Sequence, residues 1–183
     1  MTRFWEARFD TWNVQVLPGD IYVTAEDELI STVLGSCVAA CVRDPARGIG
    51  GMNHFMLPKP PSTDLDGASA RYGVYALECL VNQILRRGGR RSELEVKVFG
   101  GGRVLRGGSD IGRNNIEFVR AFMRDEGMRI AAEDVGGQCA RRIRYWPRTG
   151  RLLLLQMPMD KTVVAVESKP LEREPQAGSV ELF

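Results

Sequence analysis

Residues 31–58 read STVLGSCVAACVRDPARGIGGMNHFMLP. Two β-prone runs, CVAACVR and IGGMNHFML, flank DPARG, whose Asp, Pro and Gly are turn formers. The stretch is therefore expected to form a β-hairpin with arms over 37–43 and 49–57. It also carries Cys37 and Cys41, two of the four cysteines, and His54, the only histidine of the 183-residue chain.

Register decides what these residues can do together. If Cys37 lies directly opposite His54, their Cβ atoms are about 5 Å apart; if Ala39 takes that place, Cys37 is the diagonal neighbour on the same face at roughly 7–8 Å. A pairing midway between the two puts them on opposite faces, and Gly50-Gly51 offers a place for a bulge that changes the count. Cys41 shares the parity of Cys37 and is expected in the core. A thiol with an ordinary pKa of about 8.5 is mostly protonated at neutral pH, and an adjacent imidazole can take its proton. The imidazolium can then protonate a leaving amine, and the neutral ring can activate water against the resulting thioester. Gly35, beside Ser36 and Cys37, permits a close backbone approach in which main-chain N–H groups hold a developing oxyanion. The competing readings are a small buried thiol and a structural histidine. A zinc site of Cys37, Cys41 and His54 has no identifiable fourth ligand, since Cys79 and Cys139 stand isolated in the sequence.

Outward from this stretch, VQVLPGDIYV at 14–23 suggests two short strands around a Pro-Gly turn. PKPPSTDLDGAS, after the hairpin, is a loop by composition. Leu77, Leu80, Val81, Ile84 and Leu85 recur with helical spacing and Gly88 follows as a stop, so a first helix ends there and Cys79 on it serves packing. LEVKVF alternates as a strand. The glycine-rich GGGRVLRGGSDIG has Gly108 where a phosphate-binding loop needs lysine, so it reads as tight turns. A second helix is expected at about 115–126, capped by Asn114 or Asn115 and closed by Gly127. MRIAAE, CARRIRYW and RLLLLQM read as strands, the last two joined through PRTG as a hairpin. Glu78, Glu117 and Asp134 read as solvated or capping carboxylates. These elements make a single compact α/β (α+β) domain over 1–166, with a mixed, largely antiparallel sheet and two main helices. The charged, proline-interrupted segment 167–183 is expected to be a flexible tail.

Composition limits the function. Apolar residues are 44% and charged residues 26% of the chain, with a net charge of +2, so no excess charge points to nucleic acid or a membrane surface. RRGGRR at 86–91 and RRIR at 141–144 read as solvated faces. No run approaches the roughly 20 apolar residues of a membrane span, so membrane insertion is not expected. The N-terminal MTRFWEARFDTW lacks the apolar core and small-residue site of a secretory signal. A cytoplasmic location with reduced thiols follows as the expectation.

Six segments together resemble the CheD family of chemoreceptor glutamine deamidases: TVLGSCVAACVRD (32–44), GIGGMNHFMLP (48–58), YALECLVNQILRRG (75–88), KVFGGGRV (97–104), IGRNNIEFV (111–119) and DVGGQCARRIRY (134–145). The resemblance spans about residues 15–155 in order. It implies a compact α/β domain similar to bacterial toxin deamidases, with papain-like site geometry. It implies that Cys37 is the nucleophile and His54 its base, with Thr32 as the third site residue and Ser31 as the alternative. Ser31, Gly35, Ser36 and Asn53 are the candidates for substrate or oxyanion contacts. The implied substrate is glutamine on methyl-accepting chemotaxis receptors, converted to glutamate and ammonia with no metal or organic cofactor. A CheC-type phosphatase is a further partner that the family association makes available. Phe4, Trp5, Phe9 and Trp12 lie outside the matched region. The alternative functions are a non-enzymatic module that docks on receptors or the phosphatase, and a thiol amidohydrolase or esterase with another target.

Overall fold

The expected hairpin forms, and it is the centre of the molecule. The computed structural model describes residues 1–57, 68–103, 111–157 and 180–182. Strands β1 (Thr2–Glu6), β2 (Thr11–Gln15), β3 (Ile21–Thr24), β4 (Leu29–Leu34), β5 (Val38–Asp44) and β6 (Ile49–Phe55) come first. Helix α1 (Ala68–Arg86), strand β7 (Glu95–Gly100), helix α2 (Ile111–Asp125) and strands β8 (Ile130–Val135), β9 (Ala140–Tyr145), β10 (Leu152–Met157) and β11 (Val180–Leu182) follow.

The α+β class and the two helices match the sequence reading, but the strands form two sheets instead of one. Their orders are β1-β2-β4-β9-β10-β11 and β3-β6-β5-β7-β8. Among the described pairings only β2 with β4 and β7 with β8 are parallel. The reason lies in β5, whose VAACVRD is buried on both faces except at Arg43. Val38, Ala40 and Val42 pack toward α1 and α2, with Leu77, Leu80, Ile84, Val119 and Met123. Ala39 and Cys41 pack the other way, against Ile30, Leu34, Ile143, Tyr145 and Leu154 of the other sheet. A strand covered on both sides cannot alternate apolar with polar residues, so this one reads as a continuous apolar run. The molecule thus has three layers: helices, the five-stranded sheet, and the six-stranded sheet.

The β5–β6 register is unbroken from Val38↔Phe55 to Asp44↔Ile49. Gly50 and Gly51 therefore hold no bulge. They admit close neighbours: a Cβ on Gly51 would lie 2.2 Å from the Tyr22 carbonyl oxygen and one on Gly50 2.6 Å from the Arg43 Cβ. Asp44 fixes the turn, its carboxylate accepting from the Arg47 and Arg90 amides at 3.1 and 2.9 Å.

The two short strands expected around the Pro-Gly turn of VQVLPGDIYV form, β2 ending at Gln15 and β3 starting at Ile21; they belong to different sheets, and the Leu17–Asp20 turn crosses between them. Elsewhere the structure adds to or corrects the sequence expectations. The aromatic N-terminus forms β1, paired with β2, and Trp5 meets Trp12 edge to face at 5.6 Å. RRIR is not a solvated face: Arg141, Arg142 and Arg144 are all buried in β9, a strand with a neighbour on each side, and Arg141 pairs with Asp134. α2 begins before Asn114 and Asn115, so neither caps it. Of segment 167–183, only Val180–Leu182 lies within the described residues, as a strand beside β10. The loop after the β5–β6 hairpin and the middle of the glycine-rich loop lie outside them.

Candidate active site

Of the four crossings between the sheets, two gather the candidate residues, the one from β2 to β3 and the one from β4 to β5. β4 ends at Leu34 in one sheet and β5 starts at Val38 in the other, so Gly35, Ser36 and Cys37 form the crossing between them. That path puts Cys37 between the sheets, in the same cluster as Leu34, Ala39 and Cys41. The β2–β3 crossing runs beside β6: the Gly19 amide donates to the His54 carbonyl at 2.7 Å and the His54 amide to the Asp20 carbonyl at 3.1 Å.

Ala39 is the residue opposite His54. Cys37, two positions earlier, is then its diagonal neighbour on the same face, the second of the two productive registers. Thr32 reaches the same layer from β4. Its Oγ1 donates to the Val16 carbonyl at 2.8 Å and lies 2.8 Å from His54 Nδ1. A hydroxyl has one proton, and Val16 O can only accept, so Nδ1–H donates to Thr32 Oγ1. That tautomer leaves the lone pair on Nε2, a buried atom with no hydrogen-bond partner among the described residues. Buried polar atoms are rarely left in this state without a functional reason.

Burial lowers the His54 pKa to about 4, against smaller opposing contributions from the Val16 carbonyl and Asp20. The ring is neutral at pH 7 and its Nε2 is ready to accept a proton. Cys37, His54 and Thr32 are each about 1% exposed. Above them, half-buried Ser36 and exposed Met56 are neighbours, with Oγ and Sδ 3.9 Å apart.

The turn that carries Cys37 is held by glycines. The Gly102 amide donates to the Gly35 carbonyl at 2.8 Å and the Gly101 amide to the Cys37 carbonyl at 2.7 Å. Gly100 has φ of +111°, and a Cβ there would lie 2.2 Å from the Cys37 carbonyl oxygen. Only a residue without a side chain permits this approach. The sequence reading of GGG as tight turns near the site agrees with this placement.

Two candidates do not reach the site. Ser31 points to the other face of β4, where its Oγ donates to Asn13 Oδ1 at 2.7 Å. Asn53 faces the helices: its Oδ1 accepts from the Ala40 amide at 3.0 Å and its Nδ2 donates to the Ala76 carbonyl at 3.2 Å. Alternation along a strand separates each from its neighbour, Ser31 from Thr32 and Asn53 from His54. Val16, whose carbonyl orients the Thr32 hydroxyl, carries no sequence signal because its contribution is main-chain. Among the described residues no group of three or more His, Cys, Asp or Glu side chains converges to hold a metal.

A family model described as CheD chemotactic sensory transduction matches residues 56–156. Curated relatives cover the rest of the chain. A protein of Hahella chejuensis named "Probable chemoreceptor glutamine deamidase CheD" is 46% identical over 191 residues, which is 100% of this chain and 90% of the relative. Proteins of the same name from Halorhodospira halophila and Rhodopseudomonas palustris are 46% and 47% identical, over 100% and 99% of this chain and 90% and 89% of theirs. The solved structure of Bacillus licheniformis hypothetical protein YfiH superposes with a TM-score of 0.40 at 13% identity, over 62% of this chain and 49% of its own, too slight a likeness to bear on fold or chemistry.

Proposed function

The chain belongs to the CheD family, and from that premise we propose that it is a chemoreceptor glutamine deamidase working through Cys37 and His54. The observation that carries this reading is the hydrogen bond from His54 Nδ1–H to Thr32, which leaves Nε2 unpartnered on the face that Cys37 shares. Nε2 takes the Cys37 Sγ proton as sulfur attacks the carboxamide carbon of a receptor glutamine. The tetrahedral oxyanion falls to backbone amides of the Gly35–Cys37 turn, whose carbonyls are held elsewhere. Protonated His54 then gives its proton to the departing nitrogen, and ammonia leaves behind a glutamyl thioester. Water, deprotonated by Nε2, cleaves the thioester to release glutamate and the thiol. Thr32 is a positioning residue, fixing the ring by its acceptor oxygen.

The glutamine side chain enters past Met56 and Ser36. A low resting His54 pKa suits this sequence, because the ring acts first as a base and becomes charged only as the sulfur does. The product carboxylate adds negative charge to a helical bundle and shifts its signalling balance. Among the described residues no helix is long and apolar enough to cross a membrane. The reading places the enzyme in the cytoplasm with the receptors' signalling domains, and makes a CheC-type phosphatase its candidate regulator.

The test is ammonia release, with mass spectrometry of the glutamines, when the protein meets a cytoplasmic receptor fragment. Deamidation is expected, and its loss in Cys37→Ala and His54→Ala completes the assignment. Intact glutamines despite measured binding would overturn it in favour of a regulatory module.

A further inference from the structure

Asn115 occupies an unusual place for an amide side chain. It lies inside α2, where asparagine is a poor helix former, and it is fully buried at 0% exposure. Both ends of its carboxamide are used. Nδ2 donates to the Ser36 carbonyl at 2.8 Å, and Oδ1 accepts from the Leu57 amide at 2.9 Å. Ser36 precedes Cys37. Leu57 is three residues beyond His54, just past the end of β6. One side chain thus joins the crossing turn that carries the thiol to the strand end that carries the imidazole.

Glycines let α2 come close enough for this. A Cβ on Gly112 would lie 2.3 Å from the Gly101 carbonyl oxygen, and one on Gly101 2.5 Å from Ile116 Cγ1. The first turn of α2 therefore rests on the Gly101–Gly102 backbone, the same backbone that binds the carbonyls of Gly35 and Cys37. Asn115 is three residues after Gly112, on the same helix face. The three successive carbonyls of 35, 36 and 37 are all held from this one side, two by glycine amides and the middle one by Asn115.

We propose that Asn115 is a positioning residue for the reaction: by bridging Ser36 to Leu57 it fixes the separation of the Cys37 thiol from the His54 imidazole. No other residue type of this size supplies the bridge. Aspartate keeps the acceptor but loses the donor, and leucine loses both. Misplacing reacting groups by about 1 Å costs on the order of 100-fold in rate, so the clamp acts mainly on kcat.

The proposal rests on the deamidase reading, and two measurements separate them. The first is steady-state deamidation of the receptor fragment, in which Asn115→Ala lowers kcat by roughly 10- to 100-fold with KM within about threefold. The second needs no receptor: iodoacetamide alkylation of Cys37 across pH, read by mass spectrometry of the peptide that carries it. Asn115→Asp is close in shape and serves where Asn115→Ala does not fold. Burial and the facing Ser36 carbonyl raise the carboxyl's pKa, so Cys37 reactivity relative to wild type falls as pH rises through that raised value and recovers below it, where protonation restores a donor. The exposed Asn114→Ala variant stays at wild type in both assays. The proposal is overturned if folded Asn115 variants show wild-type kcat and a wild-type alkylation profile, with only a lowered Tm. If wild-type protein releases no ammonia, the deamidase reading fails, and the alkylation profile still decides the clamp.

Discussion

Cys37 and Cys41 stand four residues apart and point into the same layer between the sheets, yet their surroundings differ, and under the proposed mechanism so does their chemistry. Cys41 lies within β5, opposite Met52 on one side and Lys97 on the other, and is fully buried. Loss of water there pushes its thiol well above the ordinary thiol range, which keeps it protonated and inert. Cys37 lies one step before the strand, in a turn built on glycine contacts, with His54 diagonal to it. The comparison teaches that a thiol's role is set by its cross-strand neighbour and by whether its backbone is in a ladder or a crossing.

The strongest way to break the contrast is to delete each thiol in turn. Cys37→Ala is expected to lower kcat by roughly 10⁴-fold or more, His54→Ala by as much, and the double variant by no more than either alone, because the two act as one unit. Non-additive ammonia release across the three variants checks this; an additive double variant breaks the pairing.

Thr32→Val sharpens the contrast from the histidine side. It removes the hydroxyl acceptor of the buried Nδ1–H, at a cost of about 1–3 kcal/mol. The expected loss in kcat is about 10- to 100-fold, the same energy expressed as a rate. Ser31→Ala, on the other face of β4, is expected to keep kcat and lose only the bond to Asn13. A kinetic comparison of the two adjacent variants decides whether Thr32 or Ser31 orients the ring.

The pH dependence follows from the His54 pKa of about 4, which burial places below the ordinary value near 6.5. The base form persists in the folded protein down to about pH 4, so the acid limb of kcat/KM should fall near there and not near 6.5. Stability follows the same sign. In the unfolded chain His54 binds a proton as pH drops through about 6.5, whereas the folded ring resists until about 4. Its contribution is whole above the unfolded value and is lost across that window, by roughly 3 kcal/mol in all. Urea melts at several pH values, with His54→Gln as reference, test this.

The smallest effect belongs to the other thiol. Cys41→Ala removes one buried sulfur and should cost about 1 kcal/mol of stability through the cavity, with kcat unchanged. A drop in kcat beyond the fraction unfolded would show that the core thiol is not separate from the site.

Local chemistry carried much of the reading. DPARG marks the hairpin by its turn residues and the spacing of Leu77 to Leu85 marks α1. Other features had no local signal. β4 carries Thr32 in LISTVL, a run without alternation because neighbours cover it on every side. Asn115 looked like a helix cap by residue type, and only the packing of α2 on the glycine loop shows that its amide faces inward.

Residue types alone single out the groups that could do the chemistry: one histidine, one cysteine beside a glycine turn, and a hydroxyl a few positions upstream. Tertiary structure alone decided that the strands divide into two sheets, that the register sets Ala39 opposite His54, and that Thr32 is the hydroxyl which meets the ring. The physical reason is that residue type and spacing act over a few positions. The meeting of 16, 32, 37, 54 and 115 depends on where the chain crosses between layers, which is set by the burial of both faces of β5.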